Sequence, residues 1–220
     1  GRRCLIVGGR QSAFEWAALI HEQGAAQVHL VYRHDTPRFE PSHWSWLDPL
    51  LDETARVPGW FRNLPAGERE RIEQRFWVEG RLKLEPWLWP RLDRDGVTCW
   101  PRRRLASCRQ SADGALVVAL DDGSRLVVDD LILATGYCVD LRRLPFLAAG
   151  GLIGRLQLVE GSPALDEHFQ ANLPGLFFPG LAAARDFGPF FGFVRGCPVA
   201  ARLIVDRVAA RQQEPAAAGD

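Results

Sequence analysis

The chain has 220 residues, and its 27 basic side chains are balanced by 27 acidic ones, which gives a formal net charge of zero. Because a neutral chain has no long-range field that attracts polyanions, neither nucleic acid nor an anionic membrane is an expected partner. The five cysteines show no C-x-x-C or metal-like spacing, and no apolar run is long enough to cross a bilayer. These features predict reduced thiols, no metal site and a cytoplasmic protein of one large or two small domains.

The chain begins with the pattern of a strand, a glycine turn and a helix. Cys4–Val7 is a short apolar run, typical of a parallel strand that helices cover on both faces. Gly8 and Gly9 permit a sharp turn, and Ser12 with Glu15 has the spacing of a capping box. We therefore predict a helix that starts at this box.

The predicted helix and a second strand complete a βαβ unit. The helix would end near Gly24 and direct four apolar side chains toward the sheet, Trp16, Ala17, Leu19 and Ile20. The second strand follows at Val28, Leu30 and Tyr32. A βαβ unit with glycines at its first turn is typical of dinucleotide-binding domains, in which pyrophosphate meets backbone N–H groups at a helix N-terminus.

The glycine turn departs from the G-x-G-x-x-G/A pattern at its middle position. The pattern falls on Gly8, Arg10 and Ala13, so an arginine stands where the second glycine belongs. Arg10 would either crowd the diphosphate or turn outward and pair with it. A purely structural turn is the alternative, because many strand-to-helix turns need glycine, and nucleotide binding is the favoured interpretation.

Basic residues follow the second predicted strand. An acid at this point usually binds the ribose diol of NAD, whereas a basic residue accommodates the 2′-phosphate of NADP. Here Arg33 and His34 follow Tyr32, and Arg38 comes shortly after. We favour NADP over NAD, with Arg33 as the main phosphate partner and Arg38 as the second. The alternative is a solvated arginine at a strand end.

An aromatic, proline-punctuated insertion occupies about residues 40–95. Seven of the eight tryptophans lie between Trp44 and Trp100. Helices are predicted over Trp44–Leu51 and over Ala66–Val78, the latter with Ile72, Phe76 and Trp77 on its apolar side. This aromatic surface would pack a satellite core, close over a substrate or dock on another domain, and packing is the favoured interpretation.

A return strand, a meander and another buried strand follow the insertion. The return strand is predicted at Val97–Trp100. The three meander strands alternate and are separated by Asp-Gly turns, at Arg104–Arg109, Ala115–Leu120 and Arg125–Val128. Leu131–Ala134 is a second continuous apolar run and ends in a glycine turn, as a buried parallel strand would.

Three segments carry a resemblance to a known family. The strand and turn L-I-L-A-T-G-Y at residues 131–137 resembles the ATG segment of flavin-dependent monooxygenases and related flavoproteins with two dinucleotide-binding domains. G-G-R-Q-S-A at residues 8–13 is similar to the NADPH-binding turn of the same class. The third segment is L-P-G-L-F-F-P-G-L at residues 173–181, followed by Phe187–Pro189 and a predicted helix over Cys197–Arg211. It is similar to the segment in which those enzymes pass the flavin and end in a helix.

The resemblance implies two cofactors, NADPH and FAD, and a set of contacts to each. The NADPH diphosphate would be held by Gly8, Gly9, Gln11, Ser12 and Ala13, with Arg10 beside them and Arg33 and Arg38 at the 2′-phosphate. Ala134, Thr135 and Gly136 would line the crossing between the nucleotide lobes. Gly180 and Leu181 would pass close to the flavin, Leu181 through its backbone alone.

The predicted fold class is α/β. It comprises a Rossmann-like NADPH-binding domain at residues 1–102 that carries the insertion, a small antiparallel β-meander at 103–128, and part of a second, FAD-type dinucleotide-binding domain at 129–220. The family places a separate FAD-binding βαβ unit before the NADPH turn, and the chain contains no methionine. We therefore expect a fragment of a larger protein, inactive by itself.

The function implied is transfer of hydride from NADPH to FAD, followed by reaction of reduced flavin with O₂ and a small-molecule substrate. No catalytic base or nucleophile is identifiable, because the five histidines are scattered along the chain. The alternative is a non-catalytic NAD(P)-binding or protein-interaction module. A disulfide reductase is disfavoured because no C-x-x-C pair is present. A homo-oligomer is compatible with the sequence.

Overall fold

The structure is a computed structural model and describes residues 1–213. The α-helices are α1 Gln11–Glu22, α2 Asp48–Arg56, α3 Trp60–Asn63, α4 Ala66–Arg81, α5 Trp89–Leu92, α6 Pro145–Ala149, α7 Ala184–Phe187 and α8 Cys197–Gln213. Short 3₁₀ helices lie at Ser45–Leu47, Pro86–Leu88, Leu141–Arg143, Ile153–Arg155, Gly180–Ala183, Pro189–Gly192 and Val194–Gly196. The strands are β1 Arg3–Val7, β2 Gln27–Tyr32, β3 Arg38–Phe39, β4 Lys83–Leu84, β5 Val97–Pro101, β6 Leu105–Gln110, β7 Leu116–Leu120, β8 Arg125–Val128, β9 Asp130–Leu133, β10 Leu158–Val159 and β11 Ser162–Pro163.

The chain forms two compact units. The first unit contains residues 1–43 and 77–137, and the second contains residues 44–76 and 138–220, of which residues 214–220 lie outside the part that the structure describes. The insertion predicted at 40–95 is therefore divided between the two units. The domain limits predicted from the sequence, at residues 1–102, 103–128 and 129–220, are based on the expected nucleotide-binding domains and stay a prediction.

The first unit is built on a parallel four-stranded sheet with the order β5-β2-β1-β9. Numbered along the chain, this order is 3-2-1-4, which is the order of the first four strands of a Rossmann sheet. Parallel pairing runs from Cys4 opposite Val28 and Asp130 to Val7 opposite Val31 and Leu133. The predicted βαβ unit and return strand are confirmed. The second apolar strand pairs in parallel as predicted, but the expectation that it is buried is wrong, because β9 is an edge strand with Leu133 69% exposed.

The two faces of this sheet have different covers because neighbouring strand residues point to opposite sides. Ile6 and Leu30 pack with Phe14 and Ala17 of α1. Leu5 and Val31 pack instead with hydrophobic residues of the β7 and β8 strands, Val118, Leu120, Leu126 and Val128. The expectation of helices on both faces is wrong, since the antiparallel β6-β7-β8 meander, which was itself predicted, covers one of them.

Helix α1 ends as predicted but begins and faces differently. Gly24 has a φ of +91°, and its N–H donates to the His21 carbonyl while the Ala25 N–H donates to that of Ile20, which is a Schellman motif. The capping box is wrong, because α1 begins at Gln11 and places Ser12 inside its first turn. Of the four side chains predicted to face the sheet, Ala17 is buried and Ile20 packs against the same core, whereas Trp16 and Leu19 are exposed. The small Ala17 and Ala18 let the helix approach the sheet.

The second unit is mostly helical and has a core of phenylalanines. Phe169, Phe187, Phe190 and Phe191 are buried, and the rings of Phe169 and Phe187 stack at 3.7 Å between centroids. Of the predicted helix at residues 66–78, Phe76 joins this core and Ile72 packs against it. The assignment of this unit as a partial FAD-type domain stays a prediction. Among residues 1–213, no helix has the length and apolarity needed to cross a bilayer.

Candidate functional site

The glycine turn after β1 lies against the segment after β9. The Gly8 N–H donates to the Val31 carbonyl at 3.0 Å, and the Ala134 N–H donates to the Val7 carbonyl at 2.8 Å. A Cβ atom at Gly8 would lie 2.3 Å from the Ala134 oxygen, and the Gly8 φ is +149°. Glycine is therefore required here by a backbone contact, which brings the G-G-R-Q-S-A and A-T-G segments together at the carboxyl edge of the sheet.

The second glycine has a packing reason of a different kind. A Cβ atom at Gly9 would lie 2.4 Å from the Cβ of Tyr32, the last residue of β2. Tyr32 is buried, and its hydroxyl forms a hydrogen bond with that of Thr36 at 2.7 Å. Movement of the ring would therefore disrupt both its packing and this bond. Burial also raises the pKa of the Tyr32 hydroxyl well above its ordinary value. The glycine pair thus fixes the path of the chain from β1 into α1.

The first turn of α1 directs backbone donors toward this edge. Ala13, which is buried, and Phe14 donate to the Arg10 carbonyl, whereas the earlier N–H groups of a helix have no carbonyl one turn before them. The Gln11 side chain already has protein partners, because its Nε2 donates to Glu15 Oε1 at 2.8 Å and its Oε1 accepts the Glu85 N–H at 3.1 Å. Ser12 is exposed.

Arg10 stands at the N-cap with an extended backbone, φ −118° and ψ −179°. Its guanidinium lies over the indole of Trp77, with Cζ 5.5 Å from the ring centroid. The side chain is half-buried and forms an ion pair with no carboxylate of residues 1–213. Burial lowers the pKa of Arg10, and the nearby charges of Arg81 and Arg33 lower it further. Cations therefore accumulate at this helix terminus.

A cleft of about 280 Å³ opens beside the Arg10 side chain, beyond the end of β2. We call it the β2 cleft, and its lining residues are Arg10, His34, Asp35, Thr36, Pro37, Arg38 and Leu82. Its two carboxylate neighbours are engaged with exposed arginines, Asp35 with Arg102 and Glu40 with Arg38, each at 3.4 Å. Arg33 is exposed directly after β2. The cleft consequently has a cationic wall that includes the predicted residue Arg38.

The remaining predicted contacts fall into two groups. Thr135 and Gly136 are exposed after β9, and Gly136 has a φ of +93° with open space around it. Gly180 and Leu181 belong to the second unit, where Gly180 has a φ of +79° and a Cβ atom there would meet nothing within 4 Å. The glycine at 180 is required by its backbone conformation, and its contact with a flavin stays a prediction.

Sequence reasoning missed two members of this site. The helical pattern predicts Trp77 on the apolar side of α4, yet it is 50% exposed and contacts the Arg10 side chain. No sequence pattern signals Thr36, which bonds with the Tyr32 hydroxyl and lines the β2 cleft. No group of three or more metal-ligating side chains is present in residues 1–213.

Solved structures of other proteins share this architecture. No protein-family model and no curated protein sequence matches the chain. Solved structures do match, among them a cadaverine monooxygenase of desferrioxamine biosynthesis from Erwinia amylovora, bound to FAD, with a TM-score of 0.61 and 18% identity. The chain shares its fold with solved monooxygenases.

Two further structures agree with this comparison. One is an ornithine N-hydroxylase from Kutzneria sp. 744 with reduced FAD, NADP⁺ and L-ornithine, at a TM-score of 0.67 and 19% identity. The other is an L-lysine 6-monooxygenase from Pseudomonas syringae, at 0.64 and 20%. The three alignments cover 100%, 96% and 97% of this chain but 54%, 55% and 54% of the other chains. The chain thus spans about half the length of these enzymes.

Proposed function

We propose that this chain is the NADPH-binding part of an FAD- and NADPH-dependent monooxygenase. The observation that carries the proposal is the β2 cleft, whose cationic wall lies at the carboxyl edge of a parallel sheet beside the open first turn of α1. Helix N-termini and arginines are two common means by which proteins bind nucleotide phosphates. The shared fold with FAD- and NADP-bound monooxygenase structures supports the same assignment.

The described residues fit NADPH at both of its phosphate groups. Backbone N–H groups from Gly9 to Ser12 would hold the diphosphate, because the Gln11 side chain is occupied by Glu15 and Glu85. Arg33 and Arg38 would bind the 2′-phosphate at the end of β2. Gly8 and Ala13 would set the approach of the turn and the helix through packing.

The residues for FAD are fewer. Ala134, Thr135 and Gly136 would line the crossing between the nucleotide sites, and Gly180 and Leu181 would contact the flavin. Within residues 1–213, the parallel sheet has one glycine turn that leads into a long helix, and we assign that turn to NADPH. We therefore propose that FAD binding needs a longer protein, of which this chain is a part that is inactive by itself. When both cofactors are bound, NADPH supplies hydride and the reduced flavin activates O₂.

The substrate class is proposed from the similar structures. Cadaverine, ornithine and lysine are small molecules with a primary amino group, and the enzymes named for them share this fold. We propose a small amine as the substrate of the intact protein. The part played by this chain would be to bind and orient the reductant.

A second candidate function has one observation in its favour. Four tryptophans of the first unit are about half exposed, Trp16, Trp77, Trp87 and Trp89, at 51%, 50%, 48% and 51%. Exposed aromatic side chains are common at protein interfaces. The alternative is therefore a non-catalytic module that binds NAD(P) or a protein partner.

Calorimetric titration of the chain with NADPH tests the proposal. Arg33→Ala should weaken NADPH binding about tenfold or more, because a charge-assisted hydrogen bond to phosphate is lost. Arg109→Ala, in the exposed part of β6, is the matched control and should bind as the unmodified chain does. Equal affinities of both variants for NADPH would exclude Arg33 from the site. Absence of NADPH binding by the folded chain would refute the proposal.

Addition of FAD to a longer protein that contains this chain separates the two candidate functions. That protein should show a flavin spectrum that NADPH bleaches. NADPH binding without flavin uptake or NADPH consumption in that longer protein would favour the non-catalytic module.

A further inference from the structure

The side chain of Arg10 occupies a position that the dinucleotide-binding pattern gives to glycine. An arginine that projected over the turn would occupy the space of the diphosphate. The structure shows the other arrangement, in which the guanidinium lies over Trp77 and lines the β2 cleft together with Arg38. The side chain is thus turned outward, toward the end of β2.

The residues around Arg10 carry mostly positive charge, as an anion-binding site would. Arg81 and Arg33 act on the Arg10 guanidinium as like charges, and Arg38 and His34 line the same cleft. Of the carboxylates at the cleft, Asp35 is paired with Arg102 and the nearby Glu40 with Arg38 of the cleft itself, each at 3.4 Å, so neither is the partner of Arg10. Like charges held together in a partly buried place repel, and a bound anion would relieve that repulsion.

The charge of the anion distinguishes the two phosphate groups of NADPH. Each phosphate of the diphosphate carries about one negative charge, whereas a phosphate monoester carries about 1.5 to 2 at neutral pH. The diphosphate has backbone donors at α1 for its recognition. The accumulation of arginines at the β2 cleft suits the more highly charged monoester.

Trp77 gives the Arg10 side chain a fixed position. Trp77 lies in the last part of α4 and is 50% exposed, and the Arg10 Cζ lies over its ring at 5.5 Å from the centroid, within cation–π range. This contact restricts the arginine before a ligand arrives, which lowers the entropy that binding would cost. A lysine lacks the planar guanidinium and would be less well placed.

We infer that Arg10, supported by Trp77, is a specificity-determining residue that binds the 2′-phosphate and makes the site prefer NADPH to NADH. This inference rests on the proposed function, since it names a ligand contact within the same site. It also explains why the missing middle glycine is compatible with nucleotide binding.

The test compares three ligands, NADPH, NADH and adenosine 2′,5′-bisphosphate, by calorimetric titration of the chain. Arg10→Ala should weaken the two ligands with a 2′-phosphate about tenfold to a hundredfold and leave NADH within about twofold. Trp77→Leu should reproduce part of this loss. Arg10→Lys should lie between the unmodified chain and Arg10→Ala, because it keeps the charge and loses the stacked plane.

Trp16→Leu is the matched control, because Trp16 is equally exposed in the same unit and has no ring contact with an arginine within residues 1–213. Circular dichroism and melting temperatures establish that each variant is folded. If Arg10→Ala weakens NADPH and NADH equally, or Trp16→Leu matches Trp77→Leu, the inference is wrong while the proposed function stands. If the unmodified chain binds neither dinucleotide, the proposed function itself fails, and the inference with it.

Discussion

Two partly or fully buried charges, one in each unit, are treated in opposite ways. In the second unit, Asp186 is 4% exposed and accepts the Leu165 N–H at 3.0 Å and a hydrogen bond from Arg185 at 2.5 Å. In the first unit, Arg10 has an aromatic neighbour and other arginines around it. The comparison teaches that the Asp186 carboxylate has its partners within the fold, whereas the Arg10 guanidinium has no carboxylate partner among residues 1–213, the arrangement that we propose for a phosphate ligand.

Removal of the satisfied charge should have the largest effect on stability. Asp186→Ala leaves the buried Leu165 N–H without an acceptor and Arg185 without its carboxylate, so we expect a loss of about 3 kcal/mol in the free energy of unfolding. Urea unfolding measures this loss. Asp206→Ala is the control, because the Asp206 carboxylate is exposed and its ion pair with Arg202 is long, at 4.0 Å. A loss no larger than that of the control would mean that the pairing of Asp186 contributes little.

The turn beside Arg10 is sensitive for a steric reason. Gly8→Ala places a Cβ atom against the Ala134 carbonyl and forces alanine to a positive φ, so we expect a loss of about 2 kcal/mol and weaker NADPH binding. Gly67→Ala is the control, since Gly67 lies in α4 with open space around it and should be neutral or slightly stabilising. Normal stability and binding in Gly8→Ala would show that the A-T-G segment can move away.

A paired surface charge supplies a third, smaller effect that depends on pH. Hydrogen bonds from Arg3 lower the pKa of Asp129 to about 2, from 3.8. Because the folded-state pKa is the lower one, the stabilisation is complete above pH 4 and is lost as pH falls toward 2. The difference in stability between the unmodified chain and Asp129→Asn should therefore shrink over that range. A difference that stays constant with pH would contradict the assigned pairing.

The Arg10 guanidinium predicts the smallest effect, which is a gain in stability when an anion is added. Inorganic phosphate should raise the melting temperature of the unmodified chain more than that of Arg10→Ala, because the ion relieves repulsion among the arginines. Sodium chloride at matched ionic strength is the control for general screening. Equal shifts in both proteins would indicate that phosphate acts through nonspecific exclusion or at another place.

The parallel sheet and the meander could be predicted from the sequence because local patterns mark their strands and turns. Cys4–Val7 and Leu131–Ala134 are apolar runs bounded by glycine turns, and the meander turns contain Asp-Gly. The face of α1 could be predicted only in part, because Ala17 and Ile20 pack toward the sheet as expected and Trp16 and Leu19 do not. Hydrophobicity favours the two larger side chains, whereas close approach of the helix selects the smaller Ala18.

The candidate site was predictable where it depends on chain order and not where it depends on tertiary contact. Arg33 follows a predicted strand, so its place at the sheet edge follows from topology. The contact between Arg10 and Trp77 joins residues far apart in the chain, and no local pattern signals it. The same holds for the hydrogen bond between Gln11 and the Glu85 N–H, which occupies a side chain that was expected to meet the diphosphate.

The most direct test of the central claim is the melting temperature of the unmodified chain with NADPH and with NADH at equal concentrations. A ligand that binds the folded state alone raises this temperature by an amount that grows with the logarithm of its concentration relative to Kd. We predict a concentration-dependent rise with NADPH and a clearly smaller one with NADH. Identical melting curves with and without NADPH, in a sample that unfolds cooperatively, would contradict the claim that this sheet edge binds the reduced dinucleotide.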